Sequence, residues 1–155
     1  MKRFVRDTRG STPIWAAFII LILITLSFVV YAGVTVYTNY MTCETEVERA
    51  AVIAVDSNMK NENVRDVSID IPAQPTQTDV ESNLAVAGFV KSGSQSWKKY
   101  KGDKLLYEIR NLTVTVENEQ MQLSGLFVMP LPWTVGGQTE VEIPITVRSR
   151  ILFLE

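Results

Sequence analysis

From Gly10 to Cys43 the chain runs for 34 residues without one formally charged side chain. Its most apolar part, Ile14 to Val36, reads IWAAFIILILITLSFVVYAGVTV. At about 1.5 Å per residue, a helix of this length crosses a hydrocarbon layer of roughly 30 Å. No other segment restricts the fold as strongly. In lipid every backbone N–H and C=O must be satisfied within the chain, so a segment of this composition is helical. Trp15 stands near one end, and Tyr31, Tyr37 and Tyr40 stand toward the other. Trp and Tyr favour the two water–lipid boundaries, so their placement agrees with the length. Ser11 or Thr12 can cap the helix, and Pro13 suits a first turn whose N–H groups have no partner. Thr25 and Ser27 are expected to bond to carbonyls one turn back.

Charge gives the expected orientation. Lys2, Arg3, Arg6 and Arg9 precede the span with only Asp7 against them, whereas 16 acidic and 11 basic residues follow from Glu44 onward. By the positive-inside rule residues 1–10 are a basic cytoplasmic leader and the C-terminal part is exported. The competing reading is a cleaved secretory signal, with Val30-Tyr31-Ala32 as a weak cutting site. The apolar run is longer than such signals carry, and it continues past that site, so a retained helix is expected. Tyr40-Met41-Thr42 before Cys43 does not make a lipoprotein cutting site.

The helical pattern continues beyond the span. Val47, Ala51, Val55 and Met59 recur every four residues with Ala50 and Ala54 beside them, while Glu44, Glu46, Glu48 and Arg49 fill other faces. This is a narrow amphipathic stripe of mostly small residues. One helix over 11–59 is therefore expected, with 14–36 as its transmembrane part and 60–155 as a β-rich extracytoplasmic head. Within the head, Val67, Ile69 and Ile71 alternate as a short strand stopped by Pro72. AQPTQT reads as a loop, and Thr78 with Glu81 as a capping box opening a helix from Asp79 to about Val90. KSGSQSWKKYKGDK reads as a Lys-rich loop. Leu105–Glu117 is a strand with Leu112, Val114 and Val116 on one face, and Asn118-Glu119 is a turn. The return strand passes Met121, Leu123 and Leu126–Val128, with a bulge expected at Gly125. MPLPW is read as unable to form a central strand. Gly136-Gly137 is a turn, and Glu140–Leu154 is a last strand whose Pro144 asks for an edge or a bulge. The fold class is α+β: a long N-terminal hydrophobic helix, then a small, mainly antiparallel sheet with one buried face.

Composition removes most chemistry. There is no His, hence neither the commonest general base nor the commonest metal ligand. The single Cys43 excludes an internal disulfide framework and a Cys-rich zinc site. Its thiol is read chiefly as a small buried group, and alternatively as one that pairs with another chain. Asp66 with Asp70, and Asp79 with Glu81, lack the glycine-containing loop of a calcium site and read as solvated surface. Lys98, Lys99, Lys101 and Lys104, interleaved with Trp97 and Tyr100, could touch an anionic polymer. A soluble exposed loop is the simpler account, and no specific nucleic acid is expected. Asn111-Leu112-Thr113 fits the N-glycosylation pattern but falls in a strand. No catalytic, cofactor or metal residue is assigned, and no enzyme is expected.

A basic leader, a Gly, an apolar helix, an amphipathic extension and a β-rich head together resemble type IV pilin-like proteins, in particular TadE-like pilins and pseudopilins of Gram-positive bacteria. Arg9-Gly10-Ser11, Ile14–Val36, Thr45–Ala54 and the ending around Arg148-Ser149-Arg150 carry the resemblance. It implies a structural subunit, major or minor, of a surface filament or secretion pseudopilus. The partners it implies are copies of the chain, related subunits, the membrane and an assembly machinery. It implies leader cleavage between Gly10 and Ser11. Assembly would run through a helix face including Ile14, Trp15, Phe18, Ile19, Leu21, Ile22, Leu26, Val29, Val30, Gly33, Val47, Ala51 and Val55. Small residues permit close helix approach. The chain departs from the family at the fifth residue after the Gly: Trp15 stands where a Glu is usual, and no acid occurs until Glu44. That departure motivates the alternative of a monomeric, membrane-anchored extracytoplasmic binding or accessory protein.

Overall fold

A computed structural model describes residues 11–58, 73–117, 120–135 and 138–150. Helix α1 spans Ser11–Asn58 without a break, close to the length the apolar run and its amphipathic extension predict. The chain divides into two compact units at Tyr37/Thr38, within α1.

In the first unit the helix satisfies its own polar groups. The hydroxyls of Thr25, Ser27 and Thr35 donate to the carbonyls of Leu21, Leu23 and Tyr31 at 2.9, 2.8 and 2.8 Å. Each bond hides a donor that lipid or an apolar neighbour could not satisfy. The rings of Trp15 and Phe18 meet edge to face with centroids 6.2 Å apart.

The second unit is the head. It contains α1 from Thr38 onward, α2 (Ala73–Val86) and five strands: β1 (Phe89–Lys91), β2 (Trp97–Lys101), β3 (Lys104–Glu117), β4 (Gln120–Val135) and β5 (Gln138–Arg150). The strands form one antiparallel meander in sequence order. Cys43, Val47, Ala50, Ala51, Ala54 and Val55 make the buried face of α1, at the spacing of a single helical stripe. On the sheet the core is Phe89, Trp97, Tyr107, Ile109, Leu112, Met121, Leu123, Phe127, Met129, Ile145 and Val147. From α2 come Thr76, Val80 and Leu84. Tyr40 meets Phe127 edge-on at 5.7 Å, Phe127 meets Tyr107 at 5.3 Å, and Tyr107 meets Phe89 at 6.0 Å. This aromatic row runs from α1 across the sheet to its β1 edge.

Several local expectations are corrected. The AQPTQT segment is the start of α2, not a loop. Pro75 falls in the first helical turn, where a missing N–H breaks no bond. Thr78 thus lies inside the helix and not at its start. The helix ends at Val86, before the expected Val90, because Gly88 takes φ +87° and its N–H turns back to Ala85 O at 3.0 Å. Phe89–Lys91 then becomes a strand. The Lys-rich segment is not one loop: its middle forms β2, whose Trp97 is buried. Gly102, with φ +61°, makes the tight turn that pairs Lys101 with Lys104.

The bulge lies across from its expected place. Arg110 pairs with Leu126 and Thr113 with Ser124, so two residues of β3 oppose Gly125 of β4. Asn111 supplies the turn with φ +55°, and the side-chain alternation changes phase there. Tyr107 and Ile109 before it, and Leu112 after it, all reach the core. Gly125 leaves the room: a Cβ there would sit 3.2 Å from Ile109 Cγ2 and 3.4 Å from Arg110 O.

MPLPW belongs to β4, but in a stretch that is not central. The β3 partners of β4 end at Val128, so Pro130 and Pro132 lie where the strand has β5 alone beside it. A proline is tolerated there because one side of the backbone needs no donor. Pro144 sits in β5, an edge strand, as expected. The leader with Gly10, Met59, the strand at Val67–Ile71, the turns at 118–119 and 136–137, and the end of the last strand beyond Arg150 lie outside the described residues.

Candidate functional site

Two features stand out: an apolar helix surface exposed among the described residues, and a polar junction that holds the later part of α1 on the head. Every described side chain from Pro13 to Tyr31 is exposed. Ile14, Trp15, Leu21 and Leu26 are 71%, 63%, 63% and 57% exposed. Phe18, Ile19, Ile22, Val29 and Val30 are likewise open, and Gly33 has nothing within 4 Å of where a Cβ would stand. A large exposed apolar surface marks a membrane or an association surface. α1 is long and apolar enough to cross a membrane once. Ser11 is the first residue of α1.

Val47, Ala51 and Val55, expected on the same assembly face, are placed differently. They are 1%, 0% and 4% exposed and are used inside the head. The stripe that looked available in sequence is the one that buries against β strands, since small side chains let helix and sheet approach closely. The outward side of this part of α1 carries Met41, Val52 and Ile53, each exposed by about half or slightly less.

Cys43 is fully buried. The structure thus places it as the small buried group of the first reading, with its thiol out of reach of another chain while the head is folded. Burial, then the nearby Glu46 carboxylate, pushes its pKa up to about 12. The reactive species is the thiolate, so both access and ionisation are suppressed. A maleimide or disulfide reagent at pH 8 is expected to leave the native chain unmodified and to label one thiol in denaturant. Rapid native labelling would contradict the buried position.

The polar junction centres on Glu46. Its Oε1 accepts from Lys99 Nζ at 2.9 Å, and its Oε2 accepts from the Tyr107 hydroxyl at 3.0 Å. Lys99 Nζ also donates to Ala87 O just beyond α2, and lies 4.7 Å from the centroid of the Phe89 ring. Burial, reinforced by the Cys43 and Glu46 charges, raises the Tyr107 pKa well above the ordinary phenol range, so its hydroxyl remains a donor. Nearby, Asn58 Nδ2 donates to Asp79 Oδ2 at 2.5 Å and ties α1 to α2.

The Lys-rich motif is split by the fold. Trp97 is buried, with Lys91 Nζ 5.5 Å from its ring centroid, and Lys99 turns to Glu46. Lys101, Lys104 and Tyr100 remain exposed, so the alternating basic and aromatic surface imagined from sequence is not assembled. Asp79 and Glu81 are engaged by Asn58 and Lys91; Asp66 and Asp70 lie outside the described residues. Asn111 is exposed, but its position is explained by the bulge it forms. On the outer sheet face Arg110 bridges Glu108, Glu140 and Glu142 at 3.2, 2.9 and 3.5 Å, linking β3 to β5 across β4. Sequence reading missed this network, because only the register brings residues 30 positions apart together. Among the described residues no group of three His, Cys, Asp or Glu could hold a metal ion.

The chain matches no family model, no curated protein and no solved structure.

Proposed function

We propose that this chain is a pilin-like structural subunit. It is first held in a membrane by α1, with the basic end in the cytoplasm and the head outside, and then stacks through the same helix with copies of itself or related subunits. One observation carries the reading: a single unbroken helix leaves an uncharged apolar surface bare over its first part and is built into a β head over its second. Such a helix exchanges lipid for neighbouring helices without exposing a backbone polar group or burying a charge. Electron microscopy of sheared surface filaments, with mass spectrometry for this chain, tests the reading. The chain is expected as a filament component, and its absence from every filament fraction counts against assembly.

A second reading rests on a specific residue. Trp15 occupies the place where pilin-like assembly usually uses a Glu, which favours a membrane-anchored binding or accessory protein. Cys43 is unsuitable as a crosslinking probe because it is buried. A Val30→Cys variant places a thiol on the exposed apolar surface instead. Dimer formation on oxidation supports stacking, and a chain that never crosslinks and remains wholly with the membrane supports the anchor.

A further inference from the structure

The buried stripe of α1 has a built-in ambiguity. Cys43, Val47, Ala51 and Val55 repeat every four residues, with Ala50 and Ala54 beside them. Sliding the helix by four residues, about 6 Å at its normal rise, exchanges small apolar groups for similar ones along the middle of this stripe, while at its margins one direction brings Asn58 to the place of Ala54 and the other brings Asn39 to the place of Cys43. Apolar contacts are non-directional and discriminate weakly between such placements. Glu46 is different. The same slide brings Ala50 or Thr42 to its place, leaving Lys99 without its carboxylate and the Tyr107 hydroxyl without that acceptor, and in the second case it carries the carboxylate into the buried place of Ala50.

We propose that the Glu46–Lys99–Tyr107 junction fixes the register of α1 on the head. Among the described residues Glu46–Lys99 is the one ion pair joining α1 to the sheet. It is well shielded, with Lys99 and Glu46 side chains 17% and 27% exposed. A shielded ion pair adds little net stability over an apolar substitute, yet strongly penalises any arrangement that separates its members. Setting register is the best-attested use of such groups. Lys99 extends the effect, because the same ammonium donates to the end of α2 and covers Phe89. One side chain thus references both helices to the sheet. The edge-on contact of Tyr40 with Phe127 agrees with this placement: one slide puts the apolar Val36 at the place of Tyr40 and the other puts the charged Glu44 there, so this contact opposes the latter slide alone.

The proposal does not depend on whether the chain polymerises. Spin labels at Thr45→Cys on α1 and Thr146→Cys on β5, both exposed positions, report the placement by pulsed dipolar spectroscopy on the full chain in detergent. Buried Cys43 stays unlabelled. The wild-type background is expected to give one narrow distance distribution. Glu46→Ala combined with Lys99→Met is expected to fold and to add a second population, from a helix displaced by about 6 Å along its axis. If that pair does not unfold cooperatively, Glu46→Ala alone decides by the same measurement. A single distribution identical to the wild type in the deciding variant overturns the proposal.

Discussion

Phe127→Ala is expected to lower the stability of the head by about 3–5 kcal/mol, the cost of emptying a large, well-packed aromatic site. For a domain of this size that is a fall in Tm of roughly 10–20 °C. The effect is large because Phe127 is fully buried and lies between Tyr40 of α1 and Tyr107 of β3. Its removal opens a cavity at the contact between helix and sheet, where two further rings lose their neighbour. Phe127→Leu keeps most of the volume and is expected to cost less than half as much. Near-ultraviolet circular dichroism during thermal unfolding measures both. A fall below about 5 °C for the alanine variant would mean that the core is not organised around this row. Membrane association should be unchanged in either variant, since Phe127 belongs to the head unit.

The long-range plan of the chain was legible because each part announces itself through a period or a composition. An uncharged run over Ile14–Val36 has no folded alternative to a helix, and the spacing of Val47, Ala51 and Val55 marks one face of α1, though not that the head's own sheet rather than another subunit covers it. β3 and β5 were legible from alternation. What failed was local, and it failed where one residue has two meanings. Proline ordinarily ends a pattern, but Pro75 falls where a helix has no N–H bond to lose, and Pro130 and Pro132 fall where β4 has one neighbour. Lysines suggest a loop, yet Lys99 turns inward because Glu46, 53 positions earlier, awaits it. Gly125 was correctly marked as unusual, but a glycine does not say whether its own strand or the facing strand carries the extra residue. The candidate site divides in the same way. The bare apolar surface could be read directly. The Glu46 junction and the Arg110 network depend on register, which no single segment contains.

Replacing Ile22 and Leu26 together by Arg is expected to abolish stable membrane association while leaving the head folded. The two positions lie one turn apart near the middle of the span. On an insertion scale each central Arg costs about 2.5–3.5 kcal/mol, and each lost Ile or Leu forfeits about 0.3–0.6 kcal/mol more. The pair therefore costs about 6–8 kcal/mol, far beyond what a single peripheral charge imposes. Carbonate-washed membranes are expected to lose the chain, with Tm of the head within about 2 °C of wild type, because both side chains are exposed and belong to the other unit. The exchange Ile22→Leu with Leu26→Ile keeps the surface apolar and should behave as wild type. Full retention of the double Arg chain in washed membranes would overturn the spanning role of α1. The same variant also bears on assembly. A helix bundle offers two guanidinium groups no more water than lipid does, and no acid lies on α1 before Glu44 to pair with them. A chain that stacks through this surface must therefore lose filaments and membrane anchoring together. A chain that is only anchored has no filaments to lose.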